Sequence, residues 1–81
     1  MVATRLNGYD LVAWIQTEVQ SAGPCGIWVG YTAAKGYVTA WWRTGDECWS
    51  HGHYEIETKI EAMQDAMGRA GLGGDLGRAR K

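Results

Sequence analysis

Phenylalanine is absent from this 81-residue sequence, proline occurs once and cysteine only twice. Two cysteines, Cys25 and Cys48, are too few for a disulfide framework. They read either as free, partly buried thiols or as one bridge tying the first predicted strand to the third. No apolar run approaches the roughly 18–20 residues that cross a bilayer as a helix. The start, Met1-Val2-Ala3-Thr4-Arg5-Leu6, lacks the long apolar core of a secretory signal. The expectation is a soluble cytoplasmic domain with no membrane contact. Neither sign of charge dominates: eight Lys and Arg against nine Asp and Glu leave a net charge of −1. That balance excludes a globally basic nucleic-acid binder and a disordered acidic tail protein. A chain this short allows one domain.

Recognisable chemistry is missing as well. The glycines are scattered, and Gly71-Leu72-Gly73-Gly74 follows a predicted helix rather than opening one, so no phosphate loop is present. No serine sits in a nucleophile elbow. Cys48-x-x-His51-x-His53, with Cys25 upstream, could supply zinc ligands, but its spacing is not that of a finger, ribbon or knuckle. A Cys–His nucleophilic pair lacks an orienting acid at a known spacing. The sequence therefore predicts no cofactor, no metal and no catalysis.

What the chain does have is tryptophan, glycine and a segregated charge. Five of its nine aromatic residues are Trp, and 12 residues are Gly. Residues 1–70 hold five basic groups against eight acidic ones. The last eleven residues hold Arg78, Arg80 and Lys81 against Asp75. This divides the chain into a mildly acidic domain, residues 1–71, and a Gly-rich basic tail, residues 72–81, expected to be flexible.

Along the chain, Asn7 reads as an N-cap, with Asp10 at N3 and Leu6 and Leu11 as a hydrophobic staple. Leu11, Ile15, Val19 and Ala22 recur at helical spacing, and Gly23-Pro24 ends the run. These signals predict a helix over about residues 8–22, with Trp14 at the margin of its apolar stripe. Ile27–Thr32 and Tyr37–Arg43 read as strands, joined by a turn at Ala33-Ala34-Lys35-Gly36. A third, shorter strand spans Glu47–His51. A second helix runs from about Tyr54 to Ala70, with Ile56, Ile60, Met63, Met67 and Ala70 as its seam and Gly71 as its stop. The expected fold class is α+β: a two-layer domain in α-β-β-β-α order, with a three-stranded antiparallel sheet and both helices on one face.

Strand alternation then places large rings. If Ile27, Val29 and Tyr31 face the helices together with Val38, Ala40 and Trp42, the open face carries Trp28, Tyr37, Trp41 and Arg43. Trp49 joins them if its strand is in register. Such a face is large enough to serve as a docking surface, as a platform for single-stranded nucleic acid or glycan, or as a homodimer contact. On the second helix Glu57, Glu61 and Asp65 fall at i, i+4 and i+8. Glu55 has Lys59 and Asp65 has Arg69 one turn on, while Glu57 and Glu61 have no such relief. The line reads as a solvated face or as a negative strip that meets a basic surface.

The predicted element order is similar to that of double-stranded RNA-binding domains. Those carry a Lys-rich start to the second helix, where this chain has Gly52-His53-Tyr54-Glu55-Ile56-Glu57. Acid stands where phosphate contacts need base, so duplex RNA binding is not expected. In general character, as a small non-basic domain with exposed aromatics, an acidic helix face and a short basic tail, and through no motif of its own, the chain resembles the anti-CRISPR proteins, small inhibitors of bacterial defence; Trp41-Trp42-Arg43 and Glu57/Glu61/Asp65 match no signature of theirs. That resemblance implies stoichiometric binding to a CRISPR surveillance complex, a partner surface rich in Lys and Arg, and no turnover. The partner-binding candidates are Trp14, Trp28, Tyr37, Trp41, Arg43, Trp49, Glu57, Glu61 and Asp65.

Overall fold

The computed structural model describes residues 2–20 and 23–71. The predicted tail, residues 72–81, lies outside the described residues. The described chain forms five strands and one helix: β1 (Arg5–Leu6), β2 (Tyr9–Gln20), β3 (Gly23–Thr32), β4 (Gly36–Arg43), β5 (Ser50–Ile56) and α1 (Lys59–Ala70). All neighbouring strands pair antiparallel in the order β1-β2-β3-β4-β5. The sheet curls into a half-barrel. This overturns the three-stranded, two-helix architecture that the sequence predicts.

The largest correction is the first helix, which is β2. Asn7 and Gly8 are not a helix start but a two-residue hairpin loop. Both have positive φ, 51° and 86°, and Leu6 pairs with Tyr9 across them. An Asn-Gly pair of this kind matches the twist of the flanking strands. Asp10 does not reach back to a cap. It takes a 2.6 Å hydrogen bond from Arg5 Nη1 across the hairpin. The helix-like spacing in β2 comes from two bulges, where the pairing with β3 shifts between Leu11 and Ala13 and again between Gln16 and Glu18. Each extra residue inverts the alternation of faces. Side chains of β2 pack on both sides of the sheet: Leu11 and Trp14 on one, Val12, Ala13 and Ile15 on the other. A strand covered on both faces with two parity breaks has no period of two to read.

The strands predicted at 27–32 and 37–43 form within β3 and β4. Their relative phase differs from the prediction by one residue. Thr32 pairs with Gly36, leaving a three-residue loop in which Lys35 N–H donates to Thr32 C=O at 3.2 Å. Gly36 takes φ 88°, the left-handed position that closes such loops. Ile27 thus lies opposite Trp41 and Val29 opposite Thr39, while Trp28 lies opposite Ala40. A slip of one residue exchanges the faces of one strand relative to the other.

Two cores result. On the helix side, Ile27 and Val29 are buried with Ala62 and Ala66 of α1, and Tyr37, Trp41, Ile56 and Met63 pack around them. On the helix-free side, Leu6, Tyr9, Trp28, Val38 and Trp42 are buried, flanked by Val2, Ala3, Trp14 and Trp49. Gly30 makes room there: a Cβ on it would lie 2.4 Å from the Trp28 ring. The segment between β4 and β5 folds back so that Trp49 stands 5.5 Å from both Tyr9 and Trp28, ring centre to ring centre. The Trp42 indole N–H donates to Asp46 C=O at 3.0 Å, which anchors that segment. At about 25 cal/mol per Å² and about 200 Å² per indole, each fully buried Trp contributes on the order of 5 kcal/mol of gross burial. That term explains why the sheet curls over the rings instead of presenting them.

The third strand also shifts, from 47–51 to Ser50–Ile56, and the helix correspondingly starts at Lys59 rather than Tyr54. Thr58 is its N-cap, accepting a 3.1 Å bond from Glu61 N–H, and Gly71 closes it in the left-handed conformation with φ 85°. The centre of the inward face is Ala62 and Ala66; of the predicted seam Ile56, Met63 and Ala70 pack beside them, while Ile60 and Met67 do not turn inward. Ile60 is 70% exposed and Met67 39% exposed. Alanines let the helix lie close on the sheet, and polar ties described below fix its rotation. Among the described residues no helix is long and apolar enough to cross a membrane.

Candidate functional site

The predicted aromatic docking face does not exist as one surface. Trp28 is fully buried, and its indole N–H donates to Ala3 C=O at 2.9 Å. Trp14 and Trp49 are half-buried on the helix-free side, Trp14 edge-on to buried Trp42 at 5.4 Å. Tyr37 and Trp41 are half-buried on the opposite, helix side. Arg43 bonds Asp46 Oδ1 through Nε at 3.3 Å and Nη2 at 2.9 Å. That hydrogen bond, and then the carboxylate's charge, raise the guanidinium pKa above its ordinary value. The premise that Trp28, Tyr37, Trp41 and Arg43 share an open face therefore fails, because Gly36 sets the hairpin phase the other way. Trp28, Tyr37, Trp41 and Trp49 are instead divided between the two sides of the sheet.

The acidic residues fare differently. Glu57 precedes the N-cap, so the predicted line of three on one helix is reduced to Glu61 and Asp65. Yet Glu57 is brought back beside them by the turn from β5. His53, Glu55, Ile56, Glu57, Glu61 and Asp65 line one open cleft of about 500 Å³. Glu55, Glu57 and Glu61 are exposed. The ion pairs among the described residues are Arg5–Asp10, Arg43–Asp46 and His53–Asp65, so none of these three glutamates is neutralised. The expected relief of Glu55 by Lys59 and of Asp65 by Arg69 is not made as a direct ion pair.

Beside the cleft, Asp65 is the hub of a polar cluster that fastens α1 to the sheet. The Thr39 hydroxyl donates to Asp65 Oδ2. His53 Nδ1 lies 2.9 Å from Oδ2 and 3.1 Å from Oδ1 of the same carboxylate. Arg69 Nη1 donates to Thr39 C=O at 3.0 Å and to its hydroxyl at 3.1 Å, and Nη2 donates to His51 C=O at 2.5 Å. Thr39 is completely buried, so its hydroxyl needs these partners. The order is Thr–Asp–His, with the acid in the middle. A nucleophile would need its hydroxyl on the histidine, so this arrangement is a clasp. His51 and Glu55 hold left-handed backbone conformations, φ 53° and 59°, in β5. These turns break the edge strand's pairing with β4, and His53 reaches Asp65 of the helix while Tyr54 packs on Trp49.

Thr39, His51, His53 and Arg69 were not legible as a group from the sequence. The two histidines suggested metal ligation or a Cys–His pair, and the pairing of Thr39 with His53 depends on bulges that leave no composition signal. Both cysteines are free, Cys25 buried and Cys48 exposed. Among the described residues no three His, Cys, Asp or Glu side chains gather as a metal-sized group.

No protein-family model matches the chain, and neither a curated protein nor a solved structure matches it.

Proposed function

We propose that this protein is a small non-catalytic inhibitor that docks its acidic cleft on a Lys- and Arg-rich protein surface. In keeping with the resemblance to anti-CRISPR proteins, the partner is a CRISPR surveillance complex whose DNA-capturing surface it occupies. The observation that carries this reading is the cleft itself, where Glu55, Glu57 and Glu61 stand exposed and unneutralised around Ile56, at the foot of a helix clamped to the sheet. Unpaired carboxylates on a rigid frame steer a basic partner in and reject acidic ones. They also compete for side chains that otherwise hold phosphates. The Thr–Asp–His order of the neighbouring clasp supports binding rather than turnover.

The test is DNA capture by purified type I surveillance complexes, read by electrophoretic mobility with increasing amounts of the protein. The wild-type chain is expected to block capture at stoichiometric amounts, more strongly at low salt. Glu57→Lys/Glu61→Lys is expected to lose at least tenfold in potency while keeping its circular dichroism spectrum. Equal potency of the double variant, or undisturbed capture by every complex at tenfold excess, overturns the proposal.

A further inference from the structure

A second recess lies at the other end of the helix and carries the opposite charge. Ile27, Trp41, His51 and Arg69 line it, and its volume is about 280 Å³. That is near the lower bound of small-molecule pockets, roughly 300 Å³. Ile27 is a buried wall, and Trp41 offers a half-buried indole. Arg69 is half-buried, yet no carboxylate among the described residues pairs with it directly. Asp65 reaches it through the Thr39 hydroxyl and also contacts His53 Nδ1.

A guanidinium has five N–H donors in a fixed plane. The bonds of Arg69 to Thr39 C=O, Thr39 Oγ1 and His51 C=O use at most three of them. Nε–H is among those left, a charge-assisted donor for a carboxylate oxygen. The backbones of β4 and β5 hold that group in place, so little freedom is lost when a ligand arrives. A half-buried cation with no carboxylate bonded to it directly, fixed beside an indole and an isoleucine, matches an anion with a flat apolar body.

We infer that this recess binds a small aromatic carboxylic acid, with the carboxylate on Arg69 and the ring against Trp41 and Ile27. The inference is independent of the acidic cleft, which lies toward the N-terminal half of the helix. The probe is benzoate, titrated into the full chain and followed by proton–nitrogen NMR, with benzamide as the neutral analogue of the same shape. Benzoate is expected to shift the Trp41 indole N–H and the Arg69 Nε–H signals saturably. Benzamide is expected to bind at least tenfold more weakly, and so is benzoate to Arg69→Lys and Trp41→Ala. Glu57→Lys should bind benzoate like the wild type. The wild-type signal map decides the matter if Arg69→Lys does not fold. No saturable shift, shifts confined to other residues, equal binding of benzamide, or undiminished binding by a folded Arg69→Lys overturns the inference.

Discussion

The Trp28 indole N–H donates to the carbonyl of Ala3 at 2.9 Å, which joins the middle strand of the sheet to the segment before β1. Trp28 has no exposed surface, so its indole N–H has little access to water as a substitute partner. Trp28→Phe removes the donor and part of the ring volume. The expected loss is about 2–3 kcal/mol from a hydrogen bond and an underfilled core. Urea unfolding checks this, as a lower midpoint at unchanged slope.

Gly8 distinguishes the hairpin from a helix. Its φ of 86° lies where a side chain is strained. Gly8→Ala is expected to destabilise the protein by about 1 kcal/mol or more. In a helix starting at this point the same change would stabilise by about 1 kcal/mol. The sign of the shift in melting temperature therefore tests the β2 assignment directly.

Thr39 is the buried joint of the clasp between α1 and the sheet. Thr39→Val keeps its shape but takes away the hydroxyl that serves Asp65 and Arg69. The expected cost is about 1–3 kcal/mol, because charged partners lose a shielded bond. Thr39→Ser should recover most of it. Hydrogen exchange should show the amides of α1 opening first in the valine variant.

Tyr9 is 5% exposed, and burial raises its phenol pKa above the ordinary value, with Tyr54 and Glu55 adding to the effect. The unfolded chain gives up this proton first as pH rises, so the folded state then holds the extra proton. Stability from this group is complete below the ordinary tyrosine range near ~10 and falls as pH climbs through it. Equilibrium unfolding at rising alkaline pH should show that decline, and Tyr9→Phe should make it shallower.

The sequence carried some of this fold in clear form. Ile27–Thr32 and Tyr37–Arg43 are dense in β-branched and aromatic residues, and both are strands. The helix ending at Gly71 followed from its apolar residues and its glycine stop. Alternation within each strand was correct, with Trp28 opposite in direction to Ile27 and Val29. The relation between strands was not readable, because it hangs on whether Gly36 belongs to the turn or to the ladder. β2 looked helical because its two bulges reset the alternation, although Asn7-Gly8 and the run of Val12, Trp14, Ile15 and Thr17 already favoured a hairpin. Glu57, Glu61 and Asp65 were found as candidates, yet the geometry that unites them is a cleft spanning β5 and α1 rather than a helix stripe. Arg69 was read only as relief for Asp65, because its tie to the sheet comes from Thr39 and His51, thirty and eighteen residues away.

The short length of β1 leaves a mark on the whole molecule. It pairs with β2 only at Tyr9 and Asp10, so among the described residues the outer rim of β2 from Ala13 onward meets no other strand. A bare ribbon of that length invites stacking of one molecule on the next into fibrils. The kinks at Val12 and Thr17 interrupt it at two points. Straightening that ribbon by deleting either residue would exchange a self-limiting globule for a template.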